Sequence, residues 1–180
     1  SAPPAGHRLR LPELARSLDV LAQGGAEAFY RGRLARKLVD GLQSLGGIWT
    51  MADLAGYRVV EREPIVTSYH GLRVVSAPPP SSGGVWLATV LNVLSGYDLD
   101  RMDGVTRKHV TLEAMRRAHR DRAQYLGDPA FTDVPVRRLT SPDYAAGLRA
   151  SIRLDKATPS DLLPGYVKAG GQGPHTTHFS

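Results

Sequence analysis

Cysteine is absent from this 180-residue sequence. That removes a disulfide framework, a thiolate zinc site and a cysteine nucleophile from consideration, and says little about compartment. Also absent is any run of roughly eighteen apolar residues, so no membrane-spanning helix is expected within the chain. The first thirty residues lack the ordered charged, apolar and small-residue regions of a secretory signal. Phe and Trp are scarce, three and two, beside seven Tyr. Acidic residues are outnumbered, 17 Asp and Glu against 23 Lys and Arg, for a net charge of +6. Such a balance suits an acidic partner. However, the densest basic cluster, Arg116-Arg117-Ala118-His119-Arg120-Asp121-Arg122, is interrupted by Asp121 and holds no aromatic side chain for base stacking. It reads as a solvated helix face, and no nucleic-acid partner is expected. A P-loop, Gly-x-Gly-x-x-Gly after a strand and Gly-x-Ser-x-Gly are all missing. The six histidines include no pair at i, i+3 or i+4 on a helix. His175 and His178 flank a loop end without a nearby carboxylate, so neither a metal nor a cofactor is expected.

What is present is mostly helical periodicity. Pro12 suits a first helical position, Leu14, Leu18 and Leu21 share one helical face, and Gly24-Gly25 stops the helix. A second helix is expected over 26–45, with the stripe Leu34, Leu38, Leu42 and Leu45. Thr50 is placed to cap a short helix over 51–56. The period then changes. Segments 57–61, 65–69 and 72–76 are rich in β-branched and aromatic residues and predict two or three strands, the last two joined by a tight turn at His70-Gly71. Pro78 to Gly84 forms a loop, and Ser82 is placed to cap a buried helix running to Leu94. A long helix over 104–126 carries the stripe Leu112, Met115, His119, Arg122 and Leu126, and Gly127-Asp128-Pro129 ends it. Ser141-Pro142 starts a helix with Tyr144, Leu148 and Ile152 on its buried face. Residues 156–175 are Pro-, Gly- and Ser-rich and read as a loop. The fold class is α+β, mostly helical.

Few places offer chemistry. Ser81-Ser82-Gly83-Gly84 tempts as a nucleophile but reads better as a loop capping a helix. Glu113, Asp121 and Arg122 share a helix, either as catalytic acids with a partner or as an ion-pair and packing network, the latter being the better account. Asp128 reads as a turn residue. The last residues, Thr176-Thr177-His178-Phe179-Ser180, follow the long loop and look like the start of an uncompleted strand. A threonine hydroxyl needs a base. Cleavage just before Thr176 would supply one, as a freed α-amine with a pKa of about 7.7–8.0. The alternative is an unstructured tail.

Taken together, these motifs resemble the γ-glutamyltransferase (γ-glutamyltranspeptidase) family. The resemblance runs from about His7 to Ser180. It is carried by Ala28-Phe29-Tyr30-Arg31-Gly32, Gly46-Gly47, Asp53-Leu54-Ala55-Gly56-Tyr57, Pro78-Pro79-Pro80-Ser81-Ser82-Gly83-Gly84, Leu91-Asn92-Val93-Leu94, Asp121-Arg122-Ala123-Gln124-Tyr125-Leu126-Gly127-Asp128-Pro129, and Thr176-Thr177-His178-Phe179-Ser180. Seven such pieces in order are specific where one alone is not. The resemblance implies a fragment of an αββα N-terminal nucleophile hydrolase. It also implies a self-processed precursor cut between His175 and Thr176, with Thr176 as catalytic nucleophile and Thr177 and His178 in support. Residues 1–155 would be a large-subunit segment, 156–175 the processing loop and 176–180 the start of the small subunit.

The implied donor is glutathione or another γ-glutamyl compound. Amino acids, peptides or water would be the acceptors, and the remainder of the small subunit would be the partner chain. Relatives of this fold also act on cephalosporin side chains or poly-γ-glutamate, so an acylase is an alternative substrate reading, and a non-catalytic scaffold a further one. The intact Thr176-Thr177-His178 counts against the scaffold. The resemblance places the arginine that binds the substrate carboxylate before residue 1 and the oxyanion-hole glycines after Ser180. These 180 residues alone are therefore expected to lack transferase activity and to expose surface that associates with itself or with complementing chain. Location in the periplasm or medium follows from the family only.

Overall fold

The computed structural model describes residues 3–163. The chain divides into two compact units, Ser1–Glu61 and Arg62–Ser180.

In the first unit, α1 spans Pro12–Tyr30, with Pro12 in its first turn. Gly25 breaks it at φ 55°, ψ −150°, a conformation open essentially to glycine. The stop expected at Gly24-Gly25 is thus a kink. The helix expected over 26–45 is itself divided. The backbone turns at Arg31-Gly32, whose N–H groups both donate to the Glu27 carbonyl at 3.0 Å. A Cβ at Gly32 would lie 2.7 Å from the Ala28 carbonyl oxygen, which is why this turn needs glycine. Helix α2 follows over Arg33–Ser44 and α3 over Met51–Gly56.

The core of this unit is Ala35, Val39 and Leu54, with Met51 against it. Leu14 and Leu18 on α1 and Leu38 on α2 are exposed, as is Leu45 just past α2, while Leu34 and Leu42 are half-buried. Ala35 and Val39, at i and i+4 on α2, meet Leu54 of α3. Thr50 caps α3 as expected and forms a full capping box. Asp53 N donates to Thr50 Oγ1 at 3.3 Å, and Thr50 N donates to Asp53 Oδ2 at 2.7 Å. Of the two or three strands expected, the two later ones form among the described residues and 57–61 does not. Val59 and Val60 are exposed, and among the described residues no strand lies beside them. A β-rich composition needs a partner to become a strand. Tyr57 instead stacks on Tyr30, with ring centroids 5.4 Å apart.

In the second unit, β1 (Ile65–Tyr69) pairs antiparallel with β2 (Leu72–Ser76), with Ile65 opposite Ser76 and Tyr69 opposite Leu72. The two-residue turn has positive φ at both positions, 48° at His70 and 79° at Gly71, which matches the twist of the strands it joins. Helices α4 (Gly83–Leu94), α5 (Gly104–Tyr125), α6 (Val136–Leu139) and α7 (Pro142–Ala150) follow, with 3-10 turns at Leu99–Arg101 and Ser160–Leu162. The four-residue α6 was not anticipated.

Helix α4 is central. Its Val90, Val93 and Leu94 join Val110, Ala114 and Ala118 of α5 and Ala145 and Leu148 of α7 in one core. Val85 and Ala88 join Ile65 and Leu139 in another. Gly84 lets the start of α4 lie against the chain after β2, since a Cβ there would overlap the Ala77 carbonyl oxygen. Buried Thr89 satisfies its hydroxyl on the carbonyls of Val85 (2.9 Å) and Leu139 (3.0 Å). Asn92 donates to the Thr140 carbonyl at 2.8 Å. Asp103 caps α5 by accepting from Val105 N at 2.8 Å, and Ser141 caps α7 by accepting from Tyr144 N at 3.2 Å. Among the described residues the fold is α+β, mostly helical, with a single two-stranded sheet, and no helix is long and apolar enough to cross a membrane.

Candidate functional site

Thr176, with His175, Thr177 and His178, lies outside the described residues, as does most of the loop expected over 156–175. What is described is the chain that leads toward them and the helix that holds it.

The stripe of Leu112, Met115, His119 and Arg122 on α5 is not its buried face. Leu112 and Met115 are exposed and, with Trp86, His119 and Leu163, line an apolar groove. The buried face carries Val110, Ala114 and Ala118, and also Glu113, Arg117 and Asp121. The two alanines allow close packing on α4, and the charged residues are buried only because they are paired. The basic cluster is therefore not a solvated face: Arg117 is 1% exposed.

Glu113 and Arg117 form the centre. Arg117 Nη1 donates to Glu113 Oε2 at 2.6 Å. Thr158 Oγ1 donates to the same oxygen at 2.6 Å, and Thr158 N to Oε1 at 3.3 Å. Arg116 forms a further ion pair with Glu113. The other Arg117 nitrogens turn to Ser151, Nε to its Oγ and Nη2 to its carbonyl, each at 2.8 Å. Burial pushes the Glu113 carboxyl up, but hydrogen bonds from Thr158, Arg117 and Arg116 outweigh it and hold the group at about 2. Glu113 is thus a fixed anion and has no proton to trade near neutrality, so the packing-network account holds and the catalytic-acid account does not.

Asp121 belongs to a second cluster. It pairs with Arg120 and accepts from the Tyr144 hydroxyl at 3.0 Å. Burial and the Asp121 charge push that phenol up to about 12. Arg138 stacks over the Tyr144 ring, 5.1 Å from its centroid. The second Asp121 oxygen, Oδ2, is buried without a hydrogen-bond partner among the described residues.

Ser82 stands at the N-cap of α4 but does not cap it. Its Oγ accepts from Arg122 Nε at 2.8 Å. A guanidinium accepts no proton, and among the described residues no base contacts this serine hydroxyl. Asp128 is a turn residue, accepting from Ala130 N at 2.9 Å. Among the described residues no three His, Cys, Asp or Glu side chains gather as a metal site. Sequence reasoning singled out Glu113 and Asp121 but missed Arg117, Ser151, Thr158 and Ser160. The only available signal was the spacing of 113, 116 and 117 on one helix.

A family model described as gamma-glutamyltranspeptidase matches residues 1–180. The chain belongs to that family. It is 43% identical over 178 residues to a glutathione hydrolase proenzyme of Pseudomonas sp. (strain A14), covering 97% of this chain and 31% of that protein. It is 41% identical over 177 residues to the acylase ACY 1 proenzyme of Pseudomonas sp. (strain V22), with 97% and 31% covered. Among solved structures, the gamma-glutamyltranspeptidase of Helicobacter pylori superposes with a TM-score of 0.81 at 38% identity, over 88% of this chain and 46% of that one. The chain thus spans about three-tenths of the length of these curated relatives. Its α+β arrangement is that of a segment of a gamma-glutamyltranspeptidase.

Proposed function

We propose that the full-length protein cuts its own His175–Thr176 bond, and that Thr176 then transfers γ-glutamyl groups. The observation that carries this reading is the family match across residues 1–180, a span that contains Thr176-Thr177-His178. The relatives' names, glutathione hydrolase proenzymes, supply the donor and the precursor. Residues 1–155 then belong to the large chain, 156–175 to its processing loop and 176–180 to the start of the small chain.

In the cut, the Thr176 hydroxyl attacks the His175 carbonyl carbon, the peptide C–N bond breaks, and water hydrolyses the resulting ester. The freed α-amine accepts the hydroxyl proton in the next reaction. Thr176 Oγ1 attacks the γ-carbonyl of glutathione or a related compound, cysteinylglycine or its counterpart leaves, and a γ-glutamyl ester remains. An amino acid, peptide or water takes the acyl group. Residues 1–180 alone are inactive in this reading, because groups that orient the substrate and stabilise the oxyanion supply much of the rate in acyl transfer.

An acylase is the second reading, favoured by the 41% identity to acylase ACY 1. It uses the same nucleophile on a different acyl group. Intact mass of the full-length protein beside Thr176→Ala is the test. Two chains from wild type, the smaller starting at Thr176, and one from the variant are expected; one uncut chain from both refutes the reading. Turnover of a γ-glutamyl anilide against a cephalosporin side-chain amide then separates transferase from acylase.

A further inference from the structure

Between Arg153 and Pro159 no backbone N–H donates to a backbone carbonyl among the described residues. This stretch is held by side chains of α5 instead. His109 Nε2 lies 2.7 Å from the Arg153 carbonyl oxygen. Glu113 accepts from both Thr158 N and Thr158 Oγ1. Arg117 Nη2 donates to Thr158 Oγ1 at 3.1 Å and to the Ser151 carbonyl at 2.8 Å. Arg116 Nη2 donates to Ser160 Oγ at 2.9 Å. Positions 109, 113, 116 and 117 are i, i+4, i+7 and i+8, one face of the helix. The 3-10 turn Ser160–Leu162 follows, and Leu163 is buried at its end.

We propose that His109, Glu113, Arg116 and Arg117 form a ladder of positioning residues for self-cleavage, strapping residues 151–163 to α5 and so fixing the point from which the chain runs to the His175–Thr176 bond. The proposal rests on the reading of Thr176 above. Simple adhesion would not require it. Apolar contact holds a loop without burying charge, whereas a buried ion pair contributes little net stability over a hydrophobic replacement. What the ladder adds is register: Thr158 alone receives or gives three hydrogen bonds.

The experiment follows loss of the full-length precursor after pulse-labelled cell-free synthesis. The proteins are wild type, Thr176→Ala, Thr158→Val, Thr158→Ser and the core control Val110→Ala, with melting temperatures measured in parallel. Thr158→Val is expected to slow the cut several-fold and Thr158→Ser to restore it, while Val110→Ala cuts at the wild-type rate despite a lower melting temperature. If Thr158→Val cuts as fast as wild type, or if Val110→Ala slows the cut as much, the ladder is only structural and the proposal fails while the Thr176 reading stands. A wild type that stays whole, like Thr176→Ala, overturns that reading and the proposal with it.

Discussion

Glu113→Gln keeps the shape of the side chain and an acceptor for Thr158, but leaves the Arg117 guanidinium, 1% exposed, without its counter-charge. Removing one partner of a buried pair costs about 3–5 kcal/mol. Proton linkage gives an independent figure. The Glu113 carboxyl is lowered from 4.5 to about 2, so its contribution is complete above the ordinary value and is lost as pH falls toward the folded one. The total is about 3 kcal/mol, of which about 2 kcal/mol is gone at pH 3. The assay is urea denaturation of the full-length protein at pH 7, 5 and 3, with and without the substitution. Wild type is expected to lose about 2 kcal/mol more than Glu113→Gln between pH 5 and pH 3. Other lowered carboxyls, such as Asp53 and Asp103, are common to both proteins and cancel in the difference. Parallel pH profiles would refute the claim that Glu113 is a buried, pre-ionised anchor.

Gly84→Ala is expected to destabilise by about 1–3 kcal/mol, because the new methyl group overlaps the Ala77 carbonyl oxygen, a backbone atom with little room to move; an unchanged melting temperature would show that the start of α4 is not so tightly placed. Thr50→Ala removes the capping box on α3 and is expected to cost about 1 kcal/mol, read as faster amide exchange in residues 51–56 and reversed by Thr50→Ser.

Local punctuation was the most legible part of the sequence. Pro12, Thr50, His70-Gly71, Gly127-Asp128-Pro129 and Ser141-Pro142 all act where expected, because a cap, a positive φ or a missing N–H is decided by a few adjacent residues. Gly24-Gly25, which kinks α1 rather than ending it, and Ser82 are exceptions; the Ser82 hydroxyl instead accepts from Arg122, forty positions away. Segment 57–61 failed for a related reason: strand formation depends on a neighbour that composition does not report. Of the candidate site, the proposal of Thr176 rests on the resemblance and on the need of a threonine hydroxyl for a base, and that residue lies outside the described ones. The ladder on α5 was not legible.

The misread stripe on α5 shows why. Periodicity finds the face where large apolar side chains collect, here Leu112, Met115 and Leu126. It does not find the face that the neighbouring helix selects. A helix packs most closely through its small residues, and α5 offers Ala114 and Ala118 beside Val110, all at or near 0% exposed. That choice carries Glu113 and Arg117 into the interior, because they occupy the same side of the helix. Once inside, each needs several partners, and the chain after α7, where no N–H of residues 153–159 donates to a main-chain carbonyl among the described residues, supplies them through Ser151 and Thr158. Close alanine packing, buried charge and a strap held by side chains are therefore one event. A substitution that enlarges Ala114 should disturb the strap as well as the core.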